Sequence, residues 1–186
     1  MTELLSAVTA DENLPRIVSA HELPRLAQTI LQETAAIDGF DDLESLGLNQ
    51  LREFNQPNGD TTVFGTYTRP TDGQVAERDT ILFDIDSDDT VTGIGKIQYF
   101  DSFKGMESVV GVPFVGFTKT VGSLERQGLA ERRLLTMDLI ARQAYGKALH
   151  SGTYQVEAIK PLWDKLVGRG LAVKQPSSSD FQYRFK

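Results

Sequence analysis

The residues best placed to do chemistry sit between positions 121 and 133. The run is Val121-Gly122-Ser123-Leu124-Glu125-Arg126-Gln127-Gly128-Leu129-Ala130-Glu131, followed by Arg132 and Arg133. An apolar, β-branched stretch ends there and an amphipathic one begins, so a strand turns into a helix. The first amides of a helix have no partner within it and attract an anion. Gly128 and Ala130 leave room for close approach to the backbone, and Arg126, Arg132 and Arg133 add positive charge. A pyrophosphate would suit such a turn. The same residues also make an ordinary tight connection, so the segment alone leaves both readings open.

Other constellations are weaker. Asp84, Asp86, Asp88 and Asp89 suggest calcium, but an EF-hand loop starting at Asp84 needs Gly at its sixth position and Glu at its twelfth. Asp89 and Gly95 stand there, which leaves a polar hairpin turn. Cysteine is absent, and the only histidines are His21 and His150. That removes disulfides, thiolate zinc sites and cysteine nucleophiles, and speaks against a histidine-built metal site or catalytic triad. No metal site is expected. Asp101 and Glu107 read as solvated loop acids.

Four stretches rich in Val, Ile, Thr, Phe and Tyr must carry this turn: 61–68, 80–85, 91–99 and 112–121. Turn-rich segments separate them, as in an antiparallel meander. Ahead of them, Pro15 to Val18 suits a short edge strand. Ser19 and Glu22 form a capping-box pattern for a helix near 20–34, and a second helix is expected over 41–54. After the meander come a helix over 128–145 closed by Gly146, a short strand at 148–151 and a helix over 156–168. The last helix places Ile159, Leu162, Trp163, Leu166 and Val167 on one stripe. Pro161 must fall in its first turn. Phe181 to Phe185 reads as a final strand. The pattern is one α+β (α/β) domain over 1–186, with a helical part over 1–60, a β-meander over 61–121 and a helix–strand–helix part over 122–186.

Composition agrees with a globular chain: of 186 residues, 40% are apolar and 24% charged. No run of about 18 apolar residues is present, so no membrane partner is expected. The start lacks the pattern of a signal peptide, and a cytoplasmic location is expected. The net charge of -7 is uneven. Residues 1–117 hold 7 Lys and Arg against 20 Asp and Glu, whereas 118–186 hold 12 against 6. An acidic chain is a poor general binder of nucleic acid, so no such partner is expected. The basic final third could still hold a small phosphorylated ligand.

Taken together, these motifs resemble the GCN5-related N-acetyltransferase (GNAT) superfamily, in a degenerate, phage-type form. Glu125-Arg126-Gln127-Gly128-Leu129-Ala130 is similar to the family's Gln/Arg-x-x-Gly-x-Gly/Ala turn, with Glu125 where Gln or Arg is usual. Val156 to Leu166 resembles the family's Asn-x-x-Ala-x-x-Leu-Tyr-x-x-Leu helix, with Val156 for Asn and Trp163 for Tyr. Arg16-Ile17-Val18 with the helix after His21, and Gly170-Leu171-Ala172, resemble the flanking elements. The strand over 61–68 is one more than the family order needs.

The resemblance implies a twisted, mostly antiparallel sheet with helices on both faces and an acyl-CoA arm lying between two splayed strands. It implies acetyl-CoA or another acyl-CoA as co-substrate, with Val121 and its strand along the pantetheine. Arg126, Gln127, Gly128, Leu129 and Ala130 would then hold the pyrophosphate, with Arg132 or Arg133 near the phosphates. Because an indole is not a usable general acid, Tyr154 would stand in for the tyrosine missing at 163. A cationic amine would suit the acidic amino-terminal part as acceptor. Two functions are therefore open. One is an acyl-CoA-dependent N-acyltransferase. The other is a GNAT-fold binding or structural protein without catalysis, such as a bacteriophage virion component or a host-directed accessory protein acting through a protein partner. Its location would then be the phage particle.

Overall fold

The computed structural model describes residues 16–37, 51–56, 59–69, 75–121, 128–153, 159–176 and 179–186. Six strands follow one another across a single antiparallel sheet in the order β1 to β6. They are β1 (Arg16–Val18), β2 (Leu51–Asn55), β3 (Thr61–Thr68), β4 (Val75–Ile85), β5 (Val91–Phe103) and β6 (Phe114–Thr120). Helix α1 (Arg25–Ile37) lies between β1 and β2, and helix α2 (Leu129–Tyr145) follows β6. Helix α3 (Lys160–Gly168) then leads into a two-stranded sheet of β7 (Ala172–Lys174) and β8 (Tyr183–Phe185). The chain is therefore mixed α+β. Among the described residues no helix is long and apolar enough to cross a membrane, and no cluster of three His, Cys, Asp or Glu could hold a metal ion.

Alternation along the strands assigns their faces, because successive side chains point to opposite sides. Ile81, Phe83 and Ile85 of β4 join Val63, Tyr67 and Leu51 in a core capped by Ala27, Leu31 and Ala35 of α1. Their neighbours Leu82 and Phe64, with Ile97 and Val115, face the other way against Leu134, Met137 and Ile140 of α2 and Leu166 of α3. Helices thus cover both faces. Trp163, 1% exposed, belongs to this second core, stacked 5.7 Å from the Tyr183 ring. Burying a large apolar side chain of this kind contributes ~1.5–3 kcal/mol.

The expected first helix begins later than its sequence signal. Ser19 and Glu22 do form a capping box, but around a short 3-10 turn over 20–22, and α1 starts at Arg25. Of the second expected helix, 41–50 lies outside the described residues, and 51–54 belongs to strand β2. Leu-Arg-Glu-Phe is composed of adequate helix formers. Pairing of Arg52 with Phe64 and Glu53 with Val63, with Leu51 fully buried beneath α1, overrides that preference. Gly59, at φ 88°, makes the turn between β2 and β3. Strands β4 and β5 run longer than their apolar cores suggested, and at 148–151 the structure has an isolated bridge at His150 rather than a strand. Gly146 ends α2 at φ 69°, its amide on Arg142 O at 3.0 Å. Pro161 sits in the first turn of α3, where an amide would have no partner anyway.

Candidate functional site

Strand β6 has two unlike edges. Its inner edge pairs with β5, from Thr120 opposite Gly93 to Phe114 opposite Gln98. Among the described residues, its outer edge is met only at the start. There, Phe114 and His150 form a parallel bridge, with Val115 N donating to His150 O at 3.0 Å and His150 N to Pro113 O at 2.9 Å. The 149–151 stretch then turns to the other sheet, where Ser151 N donates to Tyr183 O and Phe185 N to Leu149 O. From Gly116 to Thr120 the outer edge of β6 has no backbone partner among the described residues. A β-bulge falls at the same place: Lys96 pairs with Phe117 and Ile97 with Val115, leaving Gly116 as the extra residue. Phe117, beside it, is 43% exposed.

The carboxyl end of β6 is bound to the start of α2 through Arg133. Its Nε donates to Asp84 Oδ2 at 2.7 Å, and its Nη1 to Thr118 Oγ1 at 3.2 Å and Thr120 Oγ1 at 3.4 Å. Thr62 Oγ1 donates to the other Asp84 oxygen at 3.0 Å. The guanidinium lies against Gly93, where an added Cβ would be 1.5 Å from Nη2. Arg133 is fully buried, so burial pulls its pKa down while Asp84 opposes. Asp84 is pushed up by burial, against the pull of Arg133. This arginine therefore faces into the sheet and ties α2 to it.

The other expected site residues are distributed as follows. Val121 is half-buried against the α1-side core, and its amide donates to Thr92 O at 3.0 Å. Gly128 precedes α2 with φ 79°, and a Cβ there would meet nothing within 4 Å. Leu129 and Ala130 form the first helical positions, half-buried. Arg132 reaches Asp60 at 3.4 Å. Arg126, Gln127 and Tyr154 lie outside the described residues. Asp101 is held by two 2.7 Å bonds from Arg78, and the Glu107 carboxyl is kept below the usual range by its own amide first and then by the Gly105 amide, which donates to it. His150 is pushed down to about 4, by burial first and then by Arg184 and Lys147, so its imidazole is neutral at neutral pH.

A second polar group escaped the sequence reading. Glu77 and Asp79 lie on the α1 face of β4, in line with Ile81, Phe83 and Ile85. Lys96 ion-pairs with Asp79 Oδ2, to which the Tyr67 hydroxyl donates at 3.4 Å. Glu77 receives Arg69 Nη1 at 2.9 Å and Gln98 Nε2 at 2.7 Å. Asp79 is fully buried and its Oδ1 has no hydrogen-bond partner. Its carboxyl is pushed up to about 7, chiefly by burial and further by Glu77, against the pull of Lys96. The one signal in the sequence was two acids on a strand face that is otherwise apolar. Gly116 lies over this group, since a Cβ there would be 2.8 Å from Gln98 Cγ.

No protein-family model matches the chain, and no curated protein matches it.

Proposed function

We propose that the protein is a GNAT-type acyltransferase that moves an acyl group from acyl-CoA to an amine. The observation that carries this reading is the parting of β6 from the His150 segment. After one parallel bridge, the outer amides and carbonyls of β6 along Gly116 to Thr120 meet no backbone partner among the described residues, beside a bulge. An amide-bearing arm such as pantetheine can hydrogen-bond to such an edge as an added strand would. The open space around Gly128 at the amino end of α2 supports the same reading, because unpartnered helix amides there suit a pyrophosphate. Arg126, Gln127, Gly128, Leu129 and Ala130 would hold it, with Arg132 at the rim, while Arg133 holds α2 in place from within. When bound, acyl-CoA supplies the activated thioester. The acceptor is a cationic amine, drawn by the acid-rich first part of the chain.

One observation favours a second reading, a GNAT-fold binding or virion protein without catalysis. Trp163 occupies the position of the family's proton-donating tyrosine, and its indole is buried in the core against Tyr183. Calorimetric titration with acetyl-CoA separates the two. Micromolar binding, weakened at least about tenfold (~1.4 kcal/mol) by Gly128→Glu, is the expected result. A melting curve accompanies the variant, because a side chain at positive φ costs ~1 kcal/mol. If neither acetyl-CoA nor free CoA binds, the transferase reading falls and the scaffold reading takes its place.

A further inference from the structure

The buried acids of β4 carry an inference independent of the transferase reading. We propose that Glu77 and Asp79 hold one proton between their carboxyl groups, and that its loss moves Gln98 and with it the β6 bulge at Gly116.

Donors and acceptors around Asp79 do not balance. An ionised Asp79 can only accept hydrogen bonds, yet its Oδ1 is buried with no donor. With a proton on Oδ1 it becomes a donor, and Glu77, two residues back, carries the neighbouring carboxylate on the same strand face. The remaining positions are taken: Lys96 and Tyr67 serve Oδ2, while Arg69 and Gln98 serve Glu77. Lys96 and Arg69 each offset one of the two carboxylates, and neither donates to Asp79 Oδ1. On this face the apolar core holds Ala27, Leu31 and Ala35 of α1, and Glu77 pairs across β5 with Phe100, which clusters with Phe114. On β6, Phe117 opposes Lys96, and exposed Lys119 opposes Ile94. Arg78 and Tyr145 belong to the opposite face, where Arg78 pairs with Asp101. The raised Asp79 carboxyl agrees with a retained proton.

Removal of the proton sets two carboxylates against each other along one strand face. Glu77 is then pushed away from Asp79, and Gln98, bonded to Glu77, follows. Gly116 sits so close over Gln98 that the bulge must follow too. The outer edge of β6, unpaired beyond His150 among the described residues, thereby gains two shapes separated by one proton.

The test is an NMR titration of the full chain from pH 4 to pH 9, reading the Asp79 side-chain carboxyl carbon together with the Gly116 and Phe117 amides. A shared midpoint near neutrality is expected. Asp79→Asn should abolish the amide response. If that variant does not fold, Gln98→Ala serves instead: Asp79 should still titrate near neutrality while the Gly116 amide no longer responds. An Asp79 midpoint in the ordinary carboxylate range overturns the proposal. So does a Gly116 response that survives in Asp79→Asn, or one that follows the midpoint of His150.

Discussion

The two faces of the sheet each bury a carboxylate from β4 with a cation from elsewhere, and they do so differently. On the α2 side, Asp84 meets Arg133 and Thr62, both carboxylate oxygens are served, and the buried atom left without a partner is on the cation, Arg133 Nη2. On the α1 side, Asp79 meets Lys96 from the adjacent strand, and one oxygen is left without a donor. A buried ion pair repays the cost of leaving water only when its remaining hydrogen-bonding positions are filled. Burial raises the carboxyl in both pairs. In the first, both carboxylate oxygens have donors and the contact fastens α2 to the sheet; in the second, a bare carboxylate oxygen has room for a proton.

The sharpest way to break this contrast is to remove the fastening. Arg133→Ala leaves Asp84 buried without its cation and should cost ~3–5 kcal/mol, read as a lower midpoint in urea. A loss below about 1 kcal/mol would mean that Asp84 is no less adaptable than Asp79. Gly93→Ala attacks the same contact from the strand side. Its methyl would overlap the guanidinium, costing up to ~3 kcal/mol, and most of that cost should vanish in the Arg133→Ala background. Additive losses would show that Gly93 matters for another reason.

The α1 face is probed through pH. Because the folded Asp79 carboxyl lies near 7 rather than 3.8, its contribution to stability is complete below about pH 4 and is lost as pH rises through 7. His150 acts in the opposite sense. Its folded value near 4 rather than 6.5 means that its contribution is complete above pH 6.5 and is lost as pH falls through 4. Urea midpoints of wild type and Asp79→Asn from pH 4 to pH 8 should therefore diverge, with wild type losing on the order of 2 kcal/mol relative to the variant as pH rises. Parallel curves would put Asp79 with ordinary carboxylates. The smallest effect belongs to an ion pair outside both faces, Lys174 with Asp164 at 2.9 Å, where the side chains are 62% and 50% exposed. Lys174→Gln should leave the melting temperature unchanged, because water already solvates both charges.

Legibility followed the local physics. The meander could be read because β-branched and aromatic runs alternate with turn residues, and α2 could be read between its two glycines. The 51–54 segment could not, because its strand state depends on partners at 62–64 that composition does not reveal. The turn before α2 is legible as a possible anion site with Arg132 or Arg133 beside it, but that Arg133 reaches inward to Asp84 is not. A helix stripe shows which residues share a face; it does not show that a charged one among them has a buried carboxylate waiting on the sheet. The Glu77 and Asp79 group was missed for the same reason, since its cation and its glutamine arrive from β5.

By itself the sequence determined the mixed α+β character, the order of most elements, the glycines before and after α2 and the absence of thiol chemistry. These follow from backbone preferences and side-chain type, which act within a few residues. Only the tertiary structure decided which charges meet in the interior, where β6 bridges to the His150 segment, and that Gly116 lies over Gln98. Those depend on register and on strands brought together from distant parts of the chain. In a low-dielectric interior, such meetings determine whether a carboxylate is a fixed anchor or holds a proton.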